Sequence, residues 1–212
     1  MKIEQTQARR RLRKRMGQRG AVAIEFAMAI PLLALLSFGA IEMGAAWRDS
    51  QTVLASTRSA ARSLAQFGDA PEADRDALLS VDAAYANTNL TVDAVIIYES
   101  NLAVNDGGPP TACVTAAESG VVYSGGENCN VYPAAEYATA IGASGPANFG
   151  CAGSAFDANW CPTTARTRNQ ATATFMGVYV LTSRTGVTGT NFVPVPSNLD
   201  QFSVMRMEPM PS

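Results

Sequence analysis

From Phe26 to Ile41 the chain runs sixteen positions without a charge, and the apolar stretch reaches from Ala21 to Trp47, 27 residues broken only by Glu25 and Glu42. A helix that crosses the hydrocarbon of a bilayer needs about 20 such residues. The pattern predicts one transmembrane helix over about 21–47. Trp47, followed by Arg48 and Asp49, marks its interfacial exit. Pro31 removes one backbone donor inside the helix and is a place for a kink. Gly39 and Gly44, with Ala34, Ala40, Ala45 and Ala46, leave room for close approach of another helix.

The periodicity then changes from uniformly apolar to amphipathic. Arg48 to Phe67 contains neither proline nor glycine. Val53, Leu54, Ala60, Ala61, Leu64 and Phe67 fall on one helical stripe with Thr57 as its polar member, and Arg58 and Arg62 fall among the polar positions. The helix is expected to continue to Phe67 and stop at Gly68. Asp69, with Pro71 and Glu72 after it, reads as the capped start of a short helix to about Val81. Its acids Asp69, Glu72, Asp74 and Asp76 read as a solvated face, because the spacing lacks the glycine and terminal glutamate of a calcium loop.

Strand patterns follow. Leu90, Val92, Ala94, Ile96 and Tyr98 alternate with Thr91, Asp93, Val95 and Ile97. In a second run, Ala171 to Ser183, Phe175, Tyr179 and Leu181 share one face, and Thr172, Thr174, Val178, Val180 and Thr182 the other. Phe202 to Met207 reads as a third strand, with Gly120 to Ser124 or Val131-Tyr132 as a short further one. Three or more strands beside a helix suffice for a stable small domain.

Charge orients this plan. Residues 1–20 hold eight basic side chains against Glu4, a formal +7; the whole chain carries −2, which leaves −9 for residues 21–212. A basic tail directly before an apolar span stays in the cytoplasm, so the remainder is expected outside. The absence of a linker between tail and span argues against nucleic acid as the tail's partner. A secretory signal cleaved near Ala40 or Ala46 is disfavoured by the length of the apolar region and by the acids near that site.

All four cysteines, Cys113, Cys129, Cys151 and Cys161, lie in the Gly, Ser, Ala, Pro and Asn-rich stretch of about 105–167. An even number on an exported side reads as two disulfides. The sequential pairs Cys113–Cys129 and Cys151–Cys161 are favoured because each closes a short loop. Zinc is disfavoured: no two cysteines are close in sequence, and the chain has no histidine. The missing histidine also removes the commonest general base, and there is no phosphate loop or dinucleotide fingerprint. No catalytic residue, metal or cofactor is expected, and the chain is not expected to be an enzyme.

One acid asks for an explanation. Glu25 stands near the start of the span, where an unpaired carboxylate costs roughly 2.5–3.5 kcal/mol if carried to the bilayer centre. A cut after Gly20 would make Ala21 an amino terminus and Glu25 the fifth residue of the product. The run Gly20-Ala21-Val22-Ala23-Ile24-Glu25-Phe26 resembles the processing site of type IV prepilins. The continuation through Pro31-Leu32-Leu33 and Phe38-Gly39-Ala40-Ile41-Glu42-Met43-Gly44 is similar to the TadE-like minor pilins, or pseudopilins, of tight-adherence pilus systems. That likeness covers about Arg19 to Arg62, and Val204 to Pro209 is more weakly similar to some members. The cysteine-containing middle is outside it.

The resemblance implies a prepilin peptidase cutting Gly20–Ala21, partnership with other pilin subunits and the pilus assembly machinery, and residence in the bacterial inner membrane before any entry into an extracellular pilus. It also implies that Glu25, with Phe26 beside it, pairs with the freed amine of a neighbouring subunit. The expected architecture is α+β and pilin-like. A basic leader over 1–20 precedes a long helix over 21–67, and an extracytoplasmic domain over 68–212 carries a small antiparallel sheet and the disulfide-stapled region. The alternative is an uncleaved single-pass adhesin or binding module whose exposed segment, with Tyr123, Tyr132, Tyr137, Phe149, Phe156 and Trp160, contacts surfaces or other pilins.

Overall fold

The structure, a computed structural model, describes residues 2–101, 106–142, 148–151, 155–168, 174–187 and 196–208, with the part of α1 before Val22 described as backbone alone. Helix α1 spans Lys2–Phe67, α2 Ala73–Tyr85, strand β1 Leu90–Glu99, α3 Thr111–Glu118, β2 Cys129–Pro133, α4 Ala134–Ile141, α5 Pro162–Ala165, β3 Phe175–Arg184 and β4 Asn198–Arg206. The chain divides into two compact units: Met1–Ala45 with Val187–Val195, and Ala46–Gly186 with Pro196–Ser212.

The second unit is built on an antiparallel sheet of order β2-β1-β3-β4. One face carries the larger core, formed with Val53, Ala60, Ala61 and Leu64 of α1 and Ala77, Leu78 and Val81 of α2. Two polar residues on the α1 stripe are satisfied within the helix: Ser56 Oγ donates to the Val53 carbonyl at 2.7 Å and Thr57 Oγ1 to Leu54 at 2.9 Å. Phe67, expected on the stripe, is instead exposed. It is the last residue of α1. Arg184 of β3 donates through Nε to Asp49 of α1 at 3.0 Å.

The strict alternation expected for β1 does not hold. A bulge between Val92 and Ala94 leaves Asp93 out of the register with β3, though its carboxylate accepts the Ser183 hydroxyl at 3.0 Å. Leu90 and Val92 before it share the larger core with Val95 and Ile97 after it, whereas Ala94, Ile96 and Tyr98 turn to the opposite face. That face holds a second core with Cys113 and Ala117 of α3 and Cys129 and Val131 of β2. The disulfide Cys113–Cys129 ties α3 to β2 there, and Cys151–Cys161 closes the other short loop. A loop of this size contributes roughly 3 kcal/mol by restricting the unfolded chain. Gly177, opposite Tyr98 in the β1–β3 register, leaves the space its ring occupies: a Cβ there would lie 2.2 Å from the ring.

Val131-Tyr132 is a strand and Gly120 to Ser124 is not. Gly120 at φ +67° ends α3, its N–H donating to Ala117 and that of Val121 to Ala116, which commits those groups to a helix C-cap. Helix α2 begins at Ala73 with Glu72 before it and no side-chain cap; the Asp69 carboxylate meets Arg168 at 3.2 Å instead of capping. Strand β4 starts four residues earlier than expected, at Asn198. Residues 171–173 of the expected run Ala171 to Ser183 lie outside the described residues.

Candidate functional site

Between Phe26 and Ile41, α1 is apolar around its whole circumference. Val22, Ile24, Phe26, Met28, Leu32, Leu33, Leu36 and Phe38 all point outward, and no residue of the most apolar 18-residue window, mean hydropathy 2.1, is buried. A helix of this kind is covered by lipid or by other apolar helices. Val22 to Ile41 is 20 residues, about 30 Å at 1.5 Å per residue, which matches a hydrocarbon core. The helix runs through Pro31 without interruption.

Gly20 and Ala21 lie inside α1, which begins at Lys2 rather than at Ala21. The bond between them is therefore helical backbone. Glycine is about 1 kcal/mol poorer than alanine in a helix, and Gly17 and Gly20 together make this the weakest stretch of the leader. Glu25 is exposed and follows Ala21 by four residues, so the two share a helix face about 6 Å apart along the axis. Phe26 is also exposed. Glu42 differs: it is 2% exposed, and its carboxylate accepts the backbone N–H of Val187 at 3.3 and 3.1 Å.

A polar cluster in the second unit escapes the sequence reading. Asp74, expected on a solvated face, is buried; Glu72 and Asp76 are exposed as expected. Arg166 approaches Asp74 end-on, Nη1 to Oδ1 at 2.5 Å and Nη2 to Oδ2 at 2.9 Å, with both side chains fully enclosed. Its remaining terminal N–H groups donate to the carbonyls of Gly68 and Trp160, each at 3.1 Å, and the guanidinium lies 4.3 Å from the centre of the Trp160 ring. Tyr132 Oη and Asn130 Nδ2 donate to Asp74 Oδ2 at 2.6 and 2.7 Å. Burial first, and then the charge of Asp74, push the Tyr132 phenol well above its ordinary value, which keeps its proton on the donating oxygen. One signal was available: 74, 77, 78, 81 and 85 lie on one helical stripe, so Asp74 falls on the apolar face of α2.

This cluster fastens the cysteine-containing insertion to the rest of the unit. Trp160 and Arg166 lie at and after the end of the Cys151–Cys161 loop, Asn130 and Tyr132 on β2, and Asp74 on α2. Within the loop, Asp157 accepts the N–H groups of Gly150 and Cys151, each at 3.1 Å. Of the aromatics considered for surface contact, Tyr132, Tyr137, Phe149 and Trp160 are buried; Phe149 stacks edge-on against Phe156 with ring centres 6.1 Å apart. They build core rather than an exposed binding face. Among the described residues no group of three or more His, Cys, Asp or Glu side chains is placed to hold a metal ion.

Residues 20–62 match the family of TadE-like proteins. No curated protein and no solved structure matches the chain. The matched segment contains Gly20, Ala21, Glu25, Phe26, the exposed apolar helix and Glu42, and ends before the sheet begins.

Proposed function

We propose that this chain, TadE-like over residues 20–62, is a minor pilin or pseudopilin, made as a single-span membrane precursor, trimmed after Gly20 by a prepilin peptidase, and used in assembling or priming a tight-adherence pilus. The observation that carries this reading is the exposed carboxylate of Glu25, one helical turn after Gly20–Ala21, at the head of an apolar helix left uncovered by the protein's own described residues. Trimming frees a cationic amine at Ala21, with a reference pKa of about 7.7–8.0. The Glu25 of an adjacent subunit can neutralise it, which sets the stagger between helices packed side by side. The +7 leader supports a cytoplasmic start, and the two disulfides support an oxidising compartment for the second unit. The role is structural and not enzymatic; the partners are the peptidase, other pilin subunits and the assembly machinery.

Glu25→Ala separates processing from assembly. The variant is expected to be trimmed like the wild type and to stay in the membrane fraction, lost from the sheared pilus fraction or from cross-linked pilin complexes. Normal incorporation of Glu25→Ala would remove the pairing role.

A further inference from the structure

The sheet of the second unit is covered unequally on its two faces. Toward α1 and α2 it is closed, and Leu199 and Met205 of β4 pack there against the larger core. On the opposite face α3 lies over β1 and β2. The β3–β4 half of that face carries an apolar strip: Phe175 and Phe202 are 40% and 45% exposed, and Tyr179, Leu181 and Val204 are half-buried. Two strands about 4.8 Å apart make a strip about 10 Å wide, the width of one helix. Its end toward Leu181 is acidic. Asp93, Glu118 and Asp200 are exposed around a hollow of about 550 Å³. Tyr179 Oη donates to Asp200 at 3.1 Å, and among the described residues none of the three acids is paired with an arginine.

The outward side of α1 in the same unit has the opposite charge. Arg48, Ala55, Arg58, Ser59, Arg62 and Gln66 are exposed and, at about 3.6 residues per turn, fall within about 100° of arc. No acid occurs between Ser50 and Gly68. Among the described residues these three arginines have no acidic partner either.

We infer that the open strip over β3–β4 seats α1 of a second copy of this chain, over residues 48–66, with arginines of that helix meeting the acids around the hollow. Ala55 and Ser59 leave the helix small enough to approach the sheet. The arginine stems cover apolar surface, and their guanidinium groups pair with carboxylates and lie on aromatic faces. Both surfaces belong to the second unit and lie on opposite sides of it. The contact is therefore head-to-tail: each copy offers its α1 to the next and receives one from the copy before. Such a contact can repeat with every α1 pointing the same way, as copies inserted in one membrane must. The inference deepens the assembly role proposed above and rests on it for adjacent copies in one membrane.

Photo-cross-linking of the full chain in its native membrane tests this. With Phe202→benzoylphenylalanine, irradiation is expected to give an adduct of twice the chain's mass, and its cross-linked peptides are expected to fall between Arg48 and Gln66 of the second copy. Arg58→Glu with Arg62→Glu places like charges across the contact and is expected to lower the adduct yield at least about ten-fold. Adding Glu118→Arg and Asp200→Arg to the same chain restores opposite charges and is expected to restore the yield, which a misfolded variant would not do. An adduct with a different protein, or none, from a chain that is still trimmed and recovered in the sheared pilus fraction overturns the inference and leaves the assembly role intact. An adduct on α1 from a chain that keeps residues 1–20 supports the contact and counts against the pilin reading. A yield unchanged by the two glutamates overturns the pairing.

Discussion

Asp74→Ala is expected to cost the folded protein about 3–5 kcal/mol, because it leaves the Arg166 guanidinium buried without its counter-charge. The loss goes beyond the ion pair. Tyr132 Oη loses its acceptor, and Asn130 Nδ2 keeps only the Trp160 carbonyl at 3.0 Å. Removing one partner of a buried network exposes the desolvation cost of every group left behind. Thermal unfolding of the disulfide-intact full chain in detergent, followed by near-ultraviolet circular dichroism, should show a fall in Tm on the order of 10 °C. Replacing both partners with apolar residues, Asp74→Leu with Arg166→Met, should recover much of that loss, since no charge then remains enclosed. A single variant that melts within a degree or two of the wild type would mean that the cluster contributes little to stability.

The second large effect falls on the leader. Gly20→Val is expected to stop trimming, so that the precursor accumulates with residues 1–20 attached. Two physical reasons combine. A branched side chain at the bond obstructs close approach of a peptidase to the backbone. The bond is also helical and must be unwound before it can be cut, and glycine makes that opening easier. The second reason can be isolated: Gly17→Ala leaves the bond itself unchanged but stabilises the helix by about 1 kcal/mol, which corresponds to about five-fold slower trimming if opening limits the rate. Pulse-labelled cells resolved by precursor and product size give both rates. Full-speed processing of Gly20→Val would place the cut elsewhere.

The elements that were legible in the sequence are those set by local periodicity. The span, the stop of α1 before Gly68, β1 and β3 all follow from apolar spacing, and Cys113–Cys129 and Cys151–Cys161 close the short loops that chain entropy favours. What was not legible depends on distant partners. The place of Asp74 on the apolar stripe of α2 is a local signal, but its partner Arg166 lies 92 residues later and only the fold brings the two together. The bulge at Asp93 reverses the faces of β1, yet its residues still alternate in the sequence. Val121 and Val122 are β-formers by composition, but the helix cap at Gly120 commits the backbone before a strand can form. In the candidate site, Gly20, Glu25 and Phe26 are read from the resemblance of their segment to a type IV prepilin processing site. The enclosure of Glu42 could not be, because Val187 is 145 positions away.

The account turns on an amine that exists only after proteolysis, at the start of the helix that bears Glu25. Intact-mass measurement of the protein extracted from its native membrane tests this most directly. A mass corresponding to Ala21–Ser212 with both disulfides closed is the result the account requires. A mass that still includes residues 1–20 would contradict it and leave a tethered domain with no free amine at Ala21 for Glu25 to meet.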